Sequence, residues 1–306
     1  MPRPRAAVDR QVAVFIVELQ SNVVLKEPVK SPSPEAKSVR DGAMSGANGH
    51  PRPGLAGCLI INADDWGFDT HTTDRTLECF RQGVLSSASG MVFMQDSVRA
   101  SNIATEHSLD IGLHLNLSAP FSTSCVPTRL EIHQQLVRKY LCKHPFTRAM
   151  YHPWLANSFE YVVAKQIEEF TRLYGKLPDR IDGHHHMHLS ANVLVQQLLP
   201  SGTIVRRHFS YEPGEKIVRN FTFRMFSSVF LRRYRFTDFL FSLPPLSPAA
   251  RMKRIFGVAK RFVVEVEAHP INPEEYQFLM GGDLLRWTAG ERPSLAFSKA
   301  LALQPA

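Results

Sequence analysis

Four histidines in five positions, His184, His185, His186 and His188, directly follow Ile181-Asp182-Gly183. Imidazoles set this densely beside a carboxylate are costly to bury and unneeded on a surface, so they point to metal binding or proton transfer. In an extended chain His184, His186 and His188 share one face and His185 takes the other. Asp64 and Asp65 form an adjacent pair, and His114 and His269 stand apart from the run. A solvated histidine run and a helix-capping pair of aspartates are the competing readings. The elements that carry these residues decide between them.

A strand–helix alternation begins at residue 58. Cys58-Leu59-Ile60-Ile61-Asn62-Ala63 is a short apolar run ending in Asp64-Asp65, and it reads as a buried parallel strand. A helix over 73–82 stops at Gly83, a strand-like run covers 84–94, and a helix spans 97–106. Asp110–His114 is the next strand. Residues 157–174 place Val163, Ile167, Phe170, Leu173 and Tyr174 near a 3.6-residue period. Asn157 and Glu160 read as a capping box there, with Gly175 as the stop. Arg180-Ile181-Asp182 then forms a short strand. A helix over 192–199, strands over 203–209 and 238–242, a helix over 249–259 and a β-branched strand over 261–268 complete the pattern. Such alternation implies right-handed βαβ units, and about seven of them predict a closed or nearly closed α/β barrel of parallel strands. No G-x-G-x-x-G or P-loop argues for a nucleotide fold. Asp64, Asp65, His114, His184 and His269 each fall at or just past a different strand's C-terminal end, or share that of the first strand. In such barrels those ends share one face, where active sites are built.

The convergence supports a specific chemistry. Neighbours in a regular strand point to opposite faces, so Asp64 and Asp65 serve one site only if the chain is turning there, which Gly67 permits. One carboxylate can then bind a cation while the other stays free as a base. Asp65, His114 and His184 would make a two-histidine, one-carboxylate metal site with open positions for water and substrate. Trp66, His186, His188 and Arg206 are assigned to substrate contact.

Four motifs occur in order: Ile61-Asn62-Ala63-Asp64-Asp65-Trp66-Gly67, Gly112-Leu113-His114, Asp182-Gly183-His184-His185-His186-Met187-His188 and Glu267-Ala268-His269-Pro270. Over residues 57–285 the chain resembles the YdjC-like family of carbohydrate deacetylases. The resemblance implies a distorted, TIM-like (β/α) barrel that binds a divalent cation such as magnesium and removes acetyl from N-acetylated sugars. It implies Asp65, His114 and His184 as metal ligands, Asp64 as base, and His269 as acid or transition-state stabiliser. Two imidazoles by themselves favour zinc, iron or cobalt, so a transition metal is the alternative to magnesium. Trp66 stands where the family more often has Phe, and the segment 212–260 departs from the sugar-oligomer enzymes. The rival functions are another barrel hydrolase, a phosphoesterase or amidohydrolase, and a non-enzymatic metal-binding protein. The partner expected is an N-acetylated carbohydrate or a glycolipid-like substrate, and a homodimer is kept open.

Composition sets the remaining bounds. Hydrophobic residues make up 44% and charged residues 21% of 306, as in ordinary globular chains, which suits one barrel domain over 56–290 with a tail over 291–306. Residues 1–55 are rich in proline and scattered charge and read as a disordered extension, with Met44 as an alternative start. The apolar run Val12–Val17 ends at Glu18, too short to span a membrane. Cys58, Cys79, Cys125 and Cys142 show no C-x-x-C spacing, which suits reduced thiols and a cytoplasmic location. The net charge of +8 is partly concentrated in a basic and aromatic stretch over 216–235. That stretch reads as a helix with one aromatic and one basic face, not a nucleic-acid platform.

Overall fold

A computed structural model of the protein describes residues 57–210 and 233–288. The expected N-terminal extension, most of the basic and aromatic stretch, and the expected C-terminal tail lie outside the described residues. Among the described residues seven strands form one parallel sheet: β1 (Cys58–Trp66), β2 (Ser87–Gly90), β3 (Ile111–Leu115), β4 (Arg180–Gly183), β5 (Ile204–Val205), β6 (Phe239–Ser242) and β7 (Val263–Ala268). Their order is β5-β4-β3-β2-β1-β7-β6. The helices are α1 (Thr70–Arg81), α2 (Ser97–Glu106), α3 (Thr128–Leu141), α4 (Ala156–Tyr174), α5 (Ala191–Val195), α6 (Ala249–Ala259), α7 (Pro273–Met280) and α8 (Asp283–Trp287). None of them is long and apolar enough to cross a membrane.

The sheet curls until its two edges meet. Ile204 bridges Arg235, and the Ser210 N–H donates to the Leu240 carbonyl at 2.8 Å. Alternation along each strand then sorts side chains into two shells. The outward set, which includes Ile61, Ala63, Leu113, Ile181, Val205, Phe241, Val264 and Val266, joins the helices in the main apolar core. The inward set begins at the base with Ile60, Ile204 and Val263, which touch one another across the barrel from three strands. Above that plug it is polar: Asn62, Asp64, Ser87, Ser89, His114, Asp182, Arg206, Glu265 and Glu267 are all buried.

Several local expectations are corrected. The strand-like run over 84–94 contains only Ser87–Gly90 as strand, because Val84, Leu85, Met91 and Val92 are buried as core side chains outside the ladder. The run over 203–209 pairs only at Ile204–Val205. The Asn157–Glu160 capping box is absent. A 3-10 turn over Pro153–Leu155 runs straight into α4, and Leu155 occupies the N-cap position. Gly175 does stop that helix, at φ 69°, with its N–H on the Thr171 carbonyl at 2.9 Å.

Candidate active site

A backbone irregularity brings the two aspartates together. Asp64 points inward as its place in β1 dictates. Asp65 adopts φ 65°, and the register between β1 and β2 shifts between Ala63 and Trp66. A bulge of this kind re-aims a side chain within a strand that continues past it. Left-handed backbone at a non-glycine residue costs about 1–2 kcal/mol, so the surrounding structure must hold it there. The result is that both carboxylates face the mouth of the barrel.

Asp65 meets two histidines. His184 Nδ1 lies 2.9 Å and His114 Nε2 3.3 Å from the same Asp65 oxygen. Nδ1 of His114 lies 2.8 Å from Asp182 Oδ1. An ionised carboxylate only accepts, so Nδ1 carries the proton and Nε2 turns toward Asp65. Burial opposes the Asp65 charge, but hydrogen bonds from His114 and His184 outweigh it and hold its pKa well below the usual carboxylate range. Burial also opposes charge on His114, yet the carboxylates of Asp64 and Asp182 push its pKa well above normal. The Asp182 pKa is strongly lowered: burial is outweighed by Arg206 and His114.

These three residues fit a divalent cation. One ligand atom from each of Asp65, His114 and His184 lies within 4.8 Å of the others. Ligand atoms about 2.0–2.2 Å from a shared cation stand about 3 Å apart when bound at right angles, which matches the two contacts at Asp65.

Arg206 organises the polar layer beneath. Its guanidinium is fully buried and contacts four carboxylates: Asp64 at 2.6 and 2.8 Å, Asp182 at 2.9 Å, Glu265 at 2.7 Å and Glu267 at 3.1 Å. The bidentate fork on Asp64 fixes both the position and the plane of that carboxylate. Asn62 Nδ2 adds a bond to Asp64 at 2.9 Å. Burial raises the Glu265 pKa against the pull of Arg206.

The histidine run is not extended. It forms a 3-10 turn over His184–Leu189 in which His185 and His186 have φ 55° and 57°. Tight turning after Gly183 sends the four rings in different directions. His184 faces Asp65, His185 Nδ1 lies 3.0 Å from the Ser118 hydroxyl, and His186 Nε2 lies 3.1 Å from Glu267. His188 is fully buried and donates from Nε2 to the Arg206 carbonyl at 2.9 Å, with burial driving its pKa down to about 3. His269 sits at the rim, a third exposed, with its backbone N–H on Glu275 at 2.8 Å. Burial opposes its charge, but Asp64 and Glu267 outweigh that and raise its pKa.

Asp64, Asp65, His114, His184 and His269 therefore converge, with Asp64, Glu267 and His269 offering ligand-type atoms within 4.8 Å of one another. Of the residues assigned to substrate contact, only His186 is partly open. Trp66, His188 and Arg206 are buried and present no face to a sugar. Asp182, Glu265 and Glu267 were not anticipated as site residues. The signal for the two glutamates is legible: placed two apart in the β-branched run Val-Val-Glu-Val-Glu-Ala, they must both face one side of the strand.

The family described as YdjC-like protein matches residues 58–270, a span that holds every residue of this site. The chain is similar to a carbohydrate deacetylase of Danio rerio, 28% identical over 163 residues, 51% of this chain and 50% of that protein. It is similar to a chitooligosaccharide deacetylase of Serratia marcescens, 29% identical over 136 residues, 44% of this chain and 52% of that protein. A chitooligosaccharide deacetylase of Yersinia pestis (strain Pestoides F) is 28% identical over 132 residues, 43% of this chain and 50% of that protein. The chain spans about half the length of the curated relatives it matches. With the family match running from β1 past β7, the chain belongs to the YdjC-like protein family.

Proposed function

We propose that this protein is a metal-dependent hydrolase that removes acetyl from an N-acetylated carbohydrate. The observation that carries the reading is that Asp65 and Asp64 approach the same nitrogen, His114 Nε2, at 3.3 and 3.9 Å, with Asp65 joined also to His184 and Asp64 held apart on Arg206. A cation held by Asp65, His114 and His184 would polarise the acetyl carbonyl and lower the pKa of a water toward about 7. Asp64 Oδ2 would take a proton from water as the water oxygen bonds to the acetyl carbon. Oδ1 accepts from both Arg206 and Asn62, whereas Oδ2 accepts from Arg206 alone and keeps a lone pair for the proton. Asp182 fixes His114 in the tautomer that presents Nε2. His269, whose raised pKa favours the protonated ring, gives its proton to the nitrogen as the C–N bond breaks, releasing acetate and the free amine.

Magnesium is the cation implied by the resemblance, and the two imidazoles make zinc the competitor. The names of the relatives support a sugar as the substrate. An acetate-release screen over N-acetylated sugars, run with magnesium, manganese, cobalt and zinc, tests the reading. Metal-dependent release from at least one sugar is expected; no release under any metal would sink it.

A further inference from the structure

His269 stands between β7 and α7, and the turn that joins them takes up both of its backbone polar groups. The His269 carbonyl accepts from the Asn272 N–H at 2.9 Å, and the His269 N–H donates to Glu275 Oε2 at 2.8 Å. Asn272 caps α7, its side chain accepting from the Glu274 N–H at 3.1 Å. A glutamate three residues past a cap ordinarily reaches back to the backbone N–H of the capping residue. Here that N–H is already on the His269 carbonyl, and the Glu275 carboxylate reaches past it to His269 itself. Glu275 is 2% exposed, and its second oxygen, Oε1, lies 3.9 Å from His269 Nδ1. On the other side of the ring, Glu267 Oε1 lies 4.0 Å from Nε2. The helix carrying Glu275 is well anchored. Phe278 and Leu279 belong to the core, and Tyr276 donates from its hydroxyl to Glu78 on α1 and holds Arg75 over its ring at 4.6 Å.

We propose that Glu275 is a positioning residue for His269: it locks the turn beneath the ring and sets a negative charge behind Nδ1, so that Nε2 faces the polar layer as the proton donor. This rests on the reading of His269 as the acid. Asn272 already caps α7, so a buried carboxylate is not needed to start the helix. Burying one costs free energy unless a charge meets it, and a protonated His269 is that charge. Burial opposes charge on the ring, and Asp64 and Asp65 from β1, Glu267 from β7 and Glu275 from α7 together outweigh it. Of these, Asp64 and Glu267 are bound to Arg206, and Glu267 also meets His186 from the histidine turn. Glu275 approaches the ring from outside that network.

The test is an NMR pH titration of the histidine rings in the full chain at a fixed magnesium concentration, with His269→Ala identifying the His269 signal, run beside pH–rate profiles. Glu275→Gln keeps a carbonyl oxygen for the His269 N–H and removes the charge. It is expected to stay folded, to lower the His269 pKa and to move the descending limb of the profile to lower pH by the same amount. Glu275→Ala removes the hydrogen bond as well, and kcat is expected to fall about tenfold or more with KM little changed. In a His269→Ala background neither substitution should lower turnover further. An unchanged His269 titration in Glu275→Gln overturns the proposal. So does a Glu275→Ala variant that loses stability in urea while its folded fraction keeps full kcat, because a residue that only braces the helix would do that. A lowered His269 pKa in Glu275→Gln, with no acetate released from any sugar even by the unaltered protein, would refute the deacetylase reading and leave the tie between Glu275 and His269 standing.

Discussion

The base of the barrel interior and its upper layer are built from inward positions two residues apart on the same strands. Ile60 gives way to Asn62 and Asp64 on β1, Val263 to Glu265 and Glu267 on β7, and Ile204 to Arg206 just past β5. Below, three apolar side chains close the barrel and require nothing but fit. Above, a buried guanidinium holds four carboxylates, an arrangement whose desolvation cost an apolar layer would avoid. The contrast separates stability from chemistry by height within one barrel, with function at the C-terminal ends of the strands. The upper layer holds Asp64 on the Arg206 fork and orients His114 through Asp182.

Breaking the upper layer should have the largest effect. Arg206→Met leaves buried carboxylates without their cation and is expected to cost about 3–5 kcal/mol of stability, read by urea unfolding, while removing most turnover. A stable Arg206→Met variant with full turnover would show that Arg206 does not hold the base. Ile60→Ala in the lower layer should cost about 2–5 kcal/mol and leave the turnover of the folded fraction intact. Loss of turnover at a temperature where that variant stays folded would erase the separation between the layers.

Those two layers were unequally legible in the sequence. The apolar run over 58–63 marks β1, and the strand–helix alternation places Asp64, Asp65, His114, His184 and His269 at strand ends. The bulge at Asp65 is not legible, because left-handed backbone at aspartate depends on neighbours that hold it there. The histidine turn departs from the extended run expected for a similar reason: nothing local distinguishes an extended run from His185 and His186 in left-handed geometry. Helix α3 is not legible in the sequence because Ile132 and Leu136 are exposed and Gln134 is buried, which blurs its apolar stripe. The substrate contact expected of Arg206 differs from its buried place because the four acids that surround it come from three other strands, far away in sequence.

A smaller effect concerns pH. The His269 pKa is raised, so the protonated ring persists above the ordinary imidazole range. Turnover that needs this proton is present at lower pH and falls as pH rises through the raised value. Any stability from its carboxylate contacts is lost in the same direction. A cation beside Asp65 weakens the upward push, so the descending limb should move to lower pH as metal is added. A pH–rate profile of His269→Ala that keeps the same descending limb would assign that limb to another group.

The most direct test compares metal binding with turnover in two neighbouring variants. Calorimetric titration of metal into Asp65→Asn should show clearly weakened binding, with activity partly restored by excess metal. Asp64→Asn should bind metal nearly as the unaltered protein does, yet lose about 100-fold or more in turnover, beyond rescue by metal. Equal loss of metal from both variants would contradict the division between ligand and base on which the account depends.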